Sequence, residues 1–326
     1  MRFRGRTLAT LVLAITGALA AIVAPAQSQY PSKRMTFIVP FAAGGSNDIL
    51  ARAIGQKLSE SWQVPVVIEN QGGASGSLGT ARVAKAEPDG HTILILSSTY
   101  TINAAVQPNL PFDPGKSFTG AAMLGKAPLM LAAANRLPAR NTRELLALAR
   151  AKPGQLNYGS AGIGSVNHMS MELLKNLAGL DIKHVPYRAG SLAVNDLIGG
   201  HLDMFIGSMP QMIELVRANT ATGIAITGTE RSSVVPDLPT LAESGVPKYA
   251  LEQWWGIVVP RGTPDAVVQK LNAEINRILD SSEIRTFMTR EGAHVAPSQP
   301  EDLDRHLSAE LQRWVDIVKT MGIRQD

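Results

Sequence analysis

Short apolar runs alternate along the chain with apolar residues at helical spacing. A continuous run such as Phe37–Val39 is typical of a strand buried on both faces, and stripes such as Leu303, Leu307 and Leu311 predict helices. This alternation favours an α/β fold. The predicted strands are Phe37–Val39, Val64–Glu69, Thr92–Leu96, Pro128–Ala133, Leu156–Gly159, His184–Tyr187, Asp203–Ile206, Gly223–Thr227 and Trp254–Pro260.

The stretch FIVPFAAGGSND, Phe37–Asp48, predicts a strand, a glycine turn and the start of a helix. Backbone N–H groups at a helix start lack intrahelical partners and carry partial positive charge, so this turn predicts an anion site made of backbone. The alternative is a plain turn, in which Asp48 caps the helix and pairs with Arg52. The candidate residues here are Gly44, Gly45, Ser46, Asn47 and Asp48.

The same design recurs about 115 residues later, where a strand at Leu156–Gly159 leads into the turn SAGIGS and a further helix. Each turn could offer a helix N-terminus to one end of a ligand in a cleft. Hydroxyl side chains also follow the strand Thr92–Leu96, and open α/β sheets bind ligands at the carboxyl ends of their strands. The candidates in these two places are Ser97, Ser98, Thr99, Gly159, Ser160, Ala161, Gly162 and Ser165.

Three further segments carry local predictions. Gly72–Thr80 is glycine-rich but fits neither a dinucleotide-binding motif nor a P-loop, so we interpret it as a surface loop before a helix at Ala81–Ala86. Thr263 is expected to cap a helix that has proline at its first position. Ser298 and Glu301 resemble a capping box before the last helix.

The first 26 residues have the pattern of a secretory signal peptide. Three arginines precede an apolar stretch that ends in Ala24-Pro25-Ala26, an A-x-A cleavage site. An uncleaved membrane anchor is the alternative. The chain has no cysteine, which excludes a lipid-anchored cysteine and any disulfide.

Charge and length limit the classes of function. Without residues 1–26, the chain loses three arginines, and Lys+Arg falls from 31 to 28 against 27 Asp+Glu. A nearly neutral mature chain argues against nucleic acid as a partner. About 300 mature residues are long for a single core, so two lobes are expected.

The sequence offers no catalytic machinery that we can identify. A nucleophile elbow needs glycine two positions before the serine, and Tyr158 occupies that position relative to Ser160. The histidines have no metal-ligand spacing, and His168 is expected to be structural rather than a base. We therefore predict neither a metal nor a cofactor.

At this point the chain resembles the Bug-type periplasmic solute-binding proteins of tripartite tricarboxylate transporters. The resemblance spans nearly the whole mature chain, and its segments occur in the family's order. The segments are PFAAGGSNDILAR, IENQGGASGSLGTARVAKAEPDGHTIL, YGSAGIGSVNH, HVPYRAGSLAVNDLIGGHLDMF, DLPTLAESGVP, WWGIVVPRGTP and REGAHVAPSQPEDL.

The resemblance implies a two-lobed α/β periplasmic-binding-protein fold (Venus flytrap, type II) whose cleft closes on a small organic anion. It implies that the loops matching Phe41–Asp48 and Gly159–Ser165 face a carboxylate, which adds Phe41 and Ala43 to the candidates. His168 on the following helix and Asp203 at a strand start are further candidates. The family commonly has lysine then glycine after the tyrosine, whereas this chain has Arg188-Ala189-Gly190.

We interpret the chain as a periplasmic binding protein that captures a small carboxylate, either a dicarboxylate or an aromatic acid. It is expected to be a monomer that delivers the ligand to integral-membrane transporter subunits. Residues 27–128 and 250–326 are expected to form the first lobe and 129–249 the second, with hinges near Ala127–Ala133 and Pro247–Trp254. Specificity is expected from Thr99, Tyr100, Asp203 or Met209.

Two other classes of function stay open at this stage. A sensory subunit that presents its bound ligand to a membrane kinase would use the same closed surface. A periplasmic hydrolase such as an esterase would need Ser160 as its nucleophile.

Overall fold

The computed structural model describes residues 30–107 and 109–322. The predicted leader, residues 1–26, lies outside them. The strands are β1 (Met35–Val39), β2 (Val66–Asn70), β3 (Thr92–Ser97), β4 (Phe118–Ala133), β5 (Asn157–Ser160), β6 (Lys183–Pro186), β7 (Met204–Ser208), β8 (Thr222–Ile226), β9 (Glu252–Pro260) and β10 (His294–Val295). The helices are α1 (Ser46–Trp62), α2 (Ser77–Ala84), α3 (Ser98–Val106), α4 (Thr142–Ala151), α5 (Val166–Ala178), α6 (Gly190–Ile198), α7 (Met209–Arg217), α8 (Asp265–Asp280), α9 (Ser282–Arg290) and α10 (Pro300–Met321). The α/β class is confirmed.

The strands form one curled sheet in the order β2-β1-β3-β9-β4-β7-β5-β6. Strand β4 pairs with β9 as far as Pro128 and with β7 and β8 from Leu129 onward, so it links a first and a second half of the sheet. Strands β1, β2 and β3 are parallel in the first half, and β5, β6 and β7 are parallel in the second. Each half therefore presents parallel carboxyl ends at which chain segments turn into helices.

Each half of the sheet packs against a set of helices, and α3 and α10 contribute residues to the clusters of both halves. In the first half, alternate residues of β1 face opposite sides: Phe37 packs in the cluster with α1 and α8, and Ile38 packs in the cluster with Leu303 of α10. The second half has one large cluster, built around Tyr158, Phe205 and neighbours from α4 to α7. Burial on both faces explains the continuous apolar runs of the strands.

Several element boundaries differ from the sequence prediction. Strand β4 has 16 residues rather than the six predicted, because its first part, FTGAAMLGKA, is rich in glycine and alanine and has little strand propensity. Helix α2 begins at Ser77, inside the predicted surface loop. Helices α3, α7 and α9 were not predicted at all.

Two predicted helix caps were wrong. The N-cap of α8 is Pro264, and the Thr263 hydroxyl instead donates to the Pro260 carbonyl at 2.8 Å. The capping box of α10 is formed by Gln299 and Asp302, one residue beyond the predicted pair. The Ser298 hydroxyl accepts from the Met123 backbone N–H, so its role is to hold the helix entry on β4.

In the part of the chain that the structure describes, no helix combines the length and apolar character needed to cross a bilayer.

Candidate functional site

A cavity of about 750 Å³ lies between the two halves of the molecule. This volume is within the range of roughly 300–1,000 Å³ that is typical of small-molecule pockets. Its walls come from the strand-to-helix turns of both halves, so the two glycine turns predicted from the sequence share one cavity. The lining segments include Phe41–Asn47, Gly72–Gly76, Ala161–Ile163, Ser165–Asn167 and Pro186–Ser191.

Five of the helices within residues 30–107 and 109–322 begin at this cavity. The N-cap residues of α1, α3, α5, α6 and α7 all line it, because each of these helices follows the carboxyl end of a strand. They are Gly45, Ser97, Ser165, Ala189 and Ser208. Of the five, Ser165 alone caps its own helix through its side chain. The first N–H groups of the other four helices have no side-chain cap and point partial positive charge toward the cavity.

The first turn, between β1 and α1, is braced by Asp48. The Gly44 N–H, in the left-handed region at φ +84°, donates to Asp48 Oδ2 at 2.9 Å. The Arg52 guanidinium contacts both carboxylate oxygens at 3.0 Å, and the Asn70 amide donates to Oδ1 at 2.9 Å. Burial alone would raise the pKa of Asp48, but these hydrogen bonds outweigh burial and lower it. The ionised carboxylate therefore fixes the shape of the turn.

Two further residues of this turn bind helix α1 to β9. Ser46 Oγ accepts from the Gln253 amide at 3.1 Å, and Asn47 Oδ1 accepts from the indole of Trp255 at 3.1 Å. The Asn47 amide also lies 3.4 Å from Ser97 Oγ. The side chains of Ser46 and Asn47 thus hold the turn open toward the cavity.

The second turn, between β5 and α5, is braced from beneath by hydroxyl groups. Gly162 and Gly164 have φ of +108° and +77°, values that a residue with a side chain adopts only with backbone strain. Ser165 Oγ donates to the Gly162 carbonyl at 2.7 Å and accepts from the His168 N–H at 3.3 Å. Ser160 Oγ accepts from the Gly162 N–H at 3.1 Å and lies 2.6 Å from His184 Nε2.

A buried histidine pair supports that second turn. The rings of His168 and His184 lie 4.2 Å apart between centroids, and the Gly164 N–H donates to His168 Nδ1 at 3.3 Å. Burial lowers the pKa of both imidazoles to about 4, the neighbouring histidine adding to the effect at His184. Both rings are therefore neutral near pH 7. His168 has the structural role expected for it.

Eleven of the predicted candidates line the cavity. They are Phe41, Ala43, Gly44, Gly45, Ser46, Asn47, Ser97, Thr99, Ala161, Gly162 and Ser165.

Six others do not line it, for reasons that the contacts make clear. Asp48, Ser160 and His168 lie beneath the turns that they brace, as described above. Ser98 accepts from the Trp254 N–H, and Gly159 packs against Leu202 inside the second half. The sixth is Asp203.

Asp203 lies at the wrong end of its strand to meet the cavity. It precedes β7, whereas the cavity is at the carboxyl ends of the strands. Its carboxylate pairs with Arg136 at 2.7 Å and accepts from the Asn157 N–H at 2.8 Å, which braces the start of β5. The expected specificity residues Tyr100 and Met209 are also turned away, into a hydrogen bond to Pro114 and into the core.

The sequence prediction missed the part of the glycine-rich loop that enters the cavity. Ala74 and Ser75 have φ of +47° and +51°, in the left-handed region. Ser75 Oγ donates to the Ile163 carbonyl at 2.8 Å, from one half of the molecule to the other. A second such bond runs from the Val166 N–H to Thr99 Oγ1 at 3.2 Å. The two halves are therefore joined at the cavity by hydrogen bonds.

A second group missed by the sequence prediction lies at the starts of α6 and α7 and on β9. Arg188 was noted for its departure from the family pattern, but nothing local marked its neighbours. These are Ala189, Gly190, Ser191, Ser208, Gln211 and Gln253.

Comparison with known proteins places these features in a family. The sequence profile described as "Tripartite tricarboxylate transporter family receptor" matches residues 50–323. The R. palustris protein Rpa4515, solved with adipate, is 34% identical with a TM-score of 0.88 over 90% of this chain and 99% of its own. MatC of Rhodopseudomonas palustris, solved with malate, is 35% identical with a TM-score of 0.84 over 89% and 100%. The periplasmic binding protein BugD is 29% identical with a TM-score of 0.86 over 91% and 100%. The predicted fold is thereby confirmed.

Proposed function

The chain belongs to the tripartite tricarboxylate transporter receptor family, and from this premise we propose that it captures a small carboxylate in the cavity between its two halves. The proposed ligand is a dicarboxylate or an aromatic acid, recognised largely by backbone N–H groups. Family members and structural relatives are solute-binding proteins rather than enzymes. The full burial of Ser160 beneath the second turn agrees with this class of function.

The observation that carries the proposal is the electrostatic character of the cavity. Five helix N-termini meet there, and each contributes about 0.3–2 kcal/mol to an anion in contact with it. Among the described residues that line the cavity there is no aspartate or glutamate, and the charged side chain is that of Arg188. An anion therefore meets attraction on several sides and no carboxylate repulsion.

The solved relatives support a carboxylate ligand. Rpa4515 was solved with adipate and MatC with malate, and both share about a third of their residues with this chain. Adipate and malate have a carboxylate at each end but differ in length and in polar substituents. Because the backbone turns recognise a generic carboxylate, we propose that the rest of the cavity selects among such acids.

We further propose that the protein works in the periplasm as a monomer and delivers its ligand to integral-membrane transporter subunits. Cleavage of the leader near Ala26 would release the mature protein into the periplasm. We propose that it binds its ligand without a cofactor. The proposed lobes are 27–128 with 250–326, and 129–249. Hinges near Ala127–Ala133 and Pro247–Trp254 are supported by the change of strand partners at Pro128 and by the start of β9 at Glu252.

Thermal unfolding of the mature protein with a panel of acids tests ligand capture. The panel contains adipate, malate and benzoate, with adipamide as an uncharged control of the same length as adipate. An acid present at about 100 times its Kd should add about 2.7 kcal/mol of stability, whereas adipamide should add none. Failure of every carboxylate to stabilise the protein would overturn the proposal.

Delivery needs a separate measurement. Membrane vesicles that hold the family's transporter subunits should take up a stabilising acid only when the mature protein is added. Capture by this protein without any effect on uptake would leave binding in place but contradict the proposed transport role.

A further inference from the structure

The cavity has a second cluster of polar groups, on the second half of the molecule and beside the second glycine turn. We propose that Arg188, Ser208 and Gln211, at the starts of α6 and α7, form an anion subsite that reads the far end of the ligand. This inference rests on the proposed function and deepens it: the preferred ligand is a dianion, with one carboxylate at the glycine turns and one at this subsite.

Arg188 provides the charge. It is exposed to the cavity, and its guanidinium has no ion pair or hydrogen bond with any residue that the structure describes. The backbone beside Arg188 is nevertheless fixed through Tyr187. The Tyr187 N–H donates to the Ser160 carbonyl at 3.0 Å, and the Tyr187 hydroxyl donates to the Asp196 carboxylate at 2.5 Å. The Arg188 guanidinium thus projects from a fixed backbone segment, and its five N–H donors have no partner among the described residues.

Ser208 provides a hydroxyl that opens into the same cavity. Its residue is 7% exposed and lines the cavity, yet its hydroxyl makes no hydrogen bond to any residue in the described ranges. It is the N-cap of α7 but does not cap it. The rest of the residue is buried while the hydroxyl is open to the cavity, so a ligand or water there can supply its partner.

Gln211 and the start of α6 complete the cluster. The Gln211 amide lies against Gly190, where a Cβ would be 3.6 Å from Gln211 Oε1. Ala189, the N-cap of α6, offers no side-chain cap, so the first N–H groups of that helix face the cavity beside Arg188. The first turn of α7 lacks one such donor because it contains proline, which makes the Ser208 hydroxyl and the Gln211 amide more important there.

The sheet topology places Arg188 and Ser208 on either side of the second glycine turn. Strand β5, which leads into the second glycine turn, lies between β6, which leads to Arg188, and β7, which leads to Ser208. We expect a monocarboxylate held by the backbone N–H groups of the glycine turns to leave the Arg188 guanidinium and the Ser208 hydroxyl without a protein partner. A second carboxylate would satisfy both, and a cationic far end would be repelled.

Calorimetric titration of the mature protein with adipate and with monomethyl adipate tests the subsite. The two ligands differ in one charge at nearly the same length. Wild type should bind adipate about 10- to 100-fold more tightly, the range expected for a hydrogen bond to a charged group. Arg188→Gln should lose most of that preference while its affinity for the monoester stays within about threefold. Ser208→Ala should reduce the preference by a smaller factor.

Arg143→Gln is the matched control, because Arg143 is exposed on α4 and does not line the cavity. It should keep the wild-type preference, and Arg188→Lys should restore part of it. Unchanged thermal unfolding will show that the variants fold. Equal binding of both ligands by wild type, or a preference that survives in Arg188→Gln, would overturn the subsite and leave carboxylate capture intact. Binding of neither adipate nor its monoester, together with failure of the whole acid panel, would overturn the proposed function itself.

Discussion

The two glycine turns at the cavity have the same backbone design but opposite kinds of support. The first turn is held by an ionised carboxylate, Asp48, whose partners are the Gly44 N–H, Arg52 and Asn70. The second is held by serine hydroxyls over two buried neutral histidines. The shape of the turn thus does not depend on a particular bracing residue. An ionised carboxylate and a set of neutral hydroxyl and imidazole groups can each hold such a turn.

The two turns should tolerate alanine in place of glycine unequally. Substitution in the second turn should have the largest effect on ligand affinity. At Gly164, φ is +77° and a Cβ would lie 2.9 Å from Oδ1 of Asn103, which belongs to the other half of the molecule. Gly164→Ala should therefore strain the second turn and oppose closure, raising the Kd for a bound acid by about tenfold or more. Isothermal titration calorimetry will measure the Kd of the variant and of wild type.

The control is Gly45→Ala in the first turn. Gly45 has an ordinary φ of −83°, and a Cβ there would meet its nearest atom at 3.8 Å. Its Kd should change by less than about threefold. An equal loss in both variants would show that crowding at the turns is not what distinguishes them.

Removing the charge that braces the first turn should have the next largest effect. Asp48→Asn keeps the shape but removes the ionised acceptor of Gly44 and Arg52. Stability should fall by about 1.5–3 kcal/mol, the range for hydrogen bonds to charged groups, since the site is buried. Urea unfolding measures the loss, with Asp237→Asn as a surface control, because Asp237 is exposed and makes no side-chain hydrogen bond within the described residues. A loss no larger than that of the control would show that Asp48 does not brace the turn.

The two supports should also fail at different pH. The pKa of His168 and His184 is lowered from 6.5 to about 4, so the stability gained from keeping them neutral is present above pH 6.5 and is lost as pH falls toward 4. The pKa of Asp48 is lowered from 3.8, so its contribution persists to below that pH. Acid should therefore weaken the second turn first.

Unfolding free energy measured from pH 7 to pH 4 tests this order. His184→Gln should flatten the decline in that range, because one buried imidazole no longer has to be kept neutral. The pKa of His306 is also lowered by burial, so wild type alone cannot isolate the pair and the variant is needed. Parallel curves for wild type and variant would contradict the assignment.

The smallest expected effect concerns the contact between the halves. Ser75→Ala removes the 2.8 Å hydrogen bond to the Ile163 carbonyl, and the net value of such a bond is about 0.5–1.5 kcal/mol. The Kd should rise about two- to tenfold, mainly through faster dissociation in stopped-flow measurements. Ser77→Ala, whose hydroxyl bonds within its own loop to Ala74, is the control. Equal dissociation rates in the two variants would contradict a role for Ser75 in holding the cavity closed.

The parts of the fold that sequence patterns predicted are those set by local chemistry. The strand, glycine turn and helix at Phe37–Asp48 are consecutive in the chain, so the apolar run and the turn residues are enough to predict them. The same holds for the turn before α5, with its cap at Ser165. That these residues bind a ligand stays a prediction.

What could not be predicted depends on distant partners. Strand β4 is extended because it pairs with β9 and β7, although its glycine- and alanine-rich half has weak propensity. Asp203 was expected near the ligand although it precedes its strand; its partners Arg136 and the Asn157 N–H, which are distant in sequence, hold it at the other end of β7. Ser208 and Gln211 reach the cavity only because β7 lies next to β5 in the sheet.

Hydrogen–deuterium exchange of the mature protein, with and without an acid that stabilises it, is the most direct test of the two-turn anion site. Backbone amides around Gly44–Asn47 and Gly162–Asn167 should both exchange more slowly when the acid is bound, since both turns donate to it. Slowing at one turn alone, or at neither turn while the acid is demonstrably bound, would contradict a ligand gripped between them.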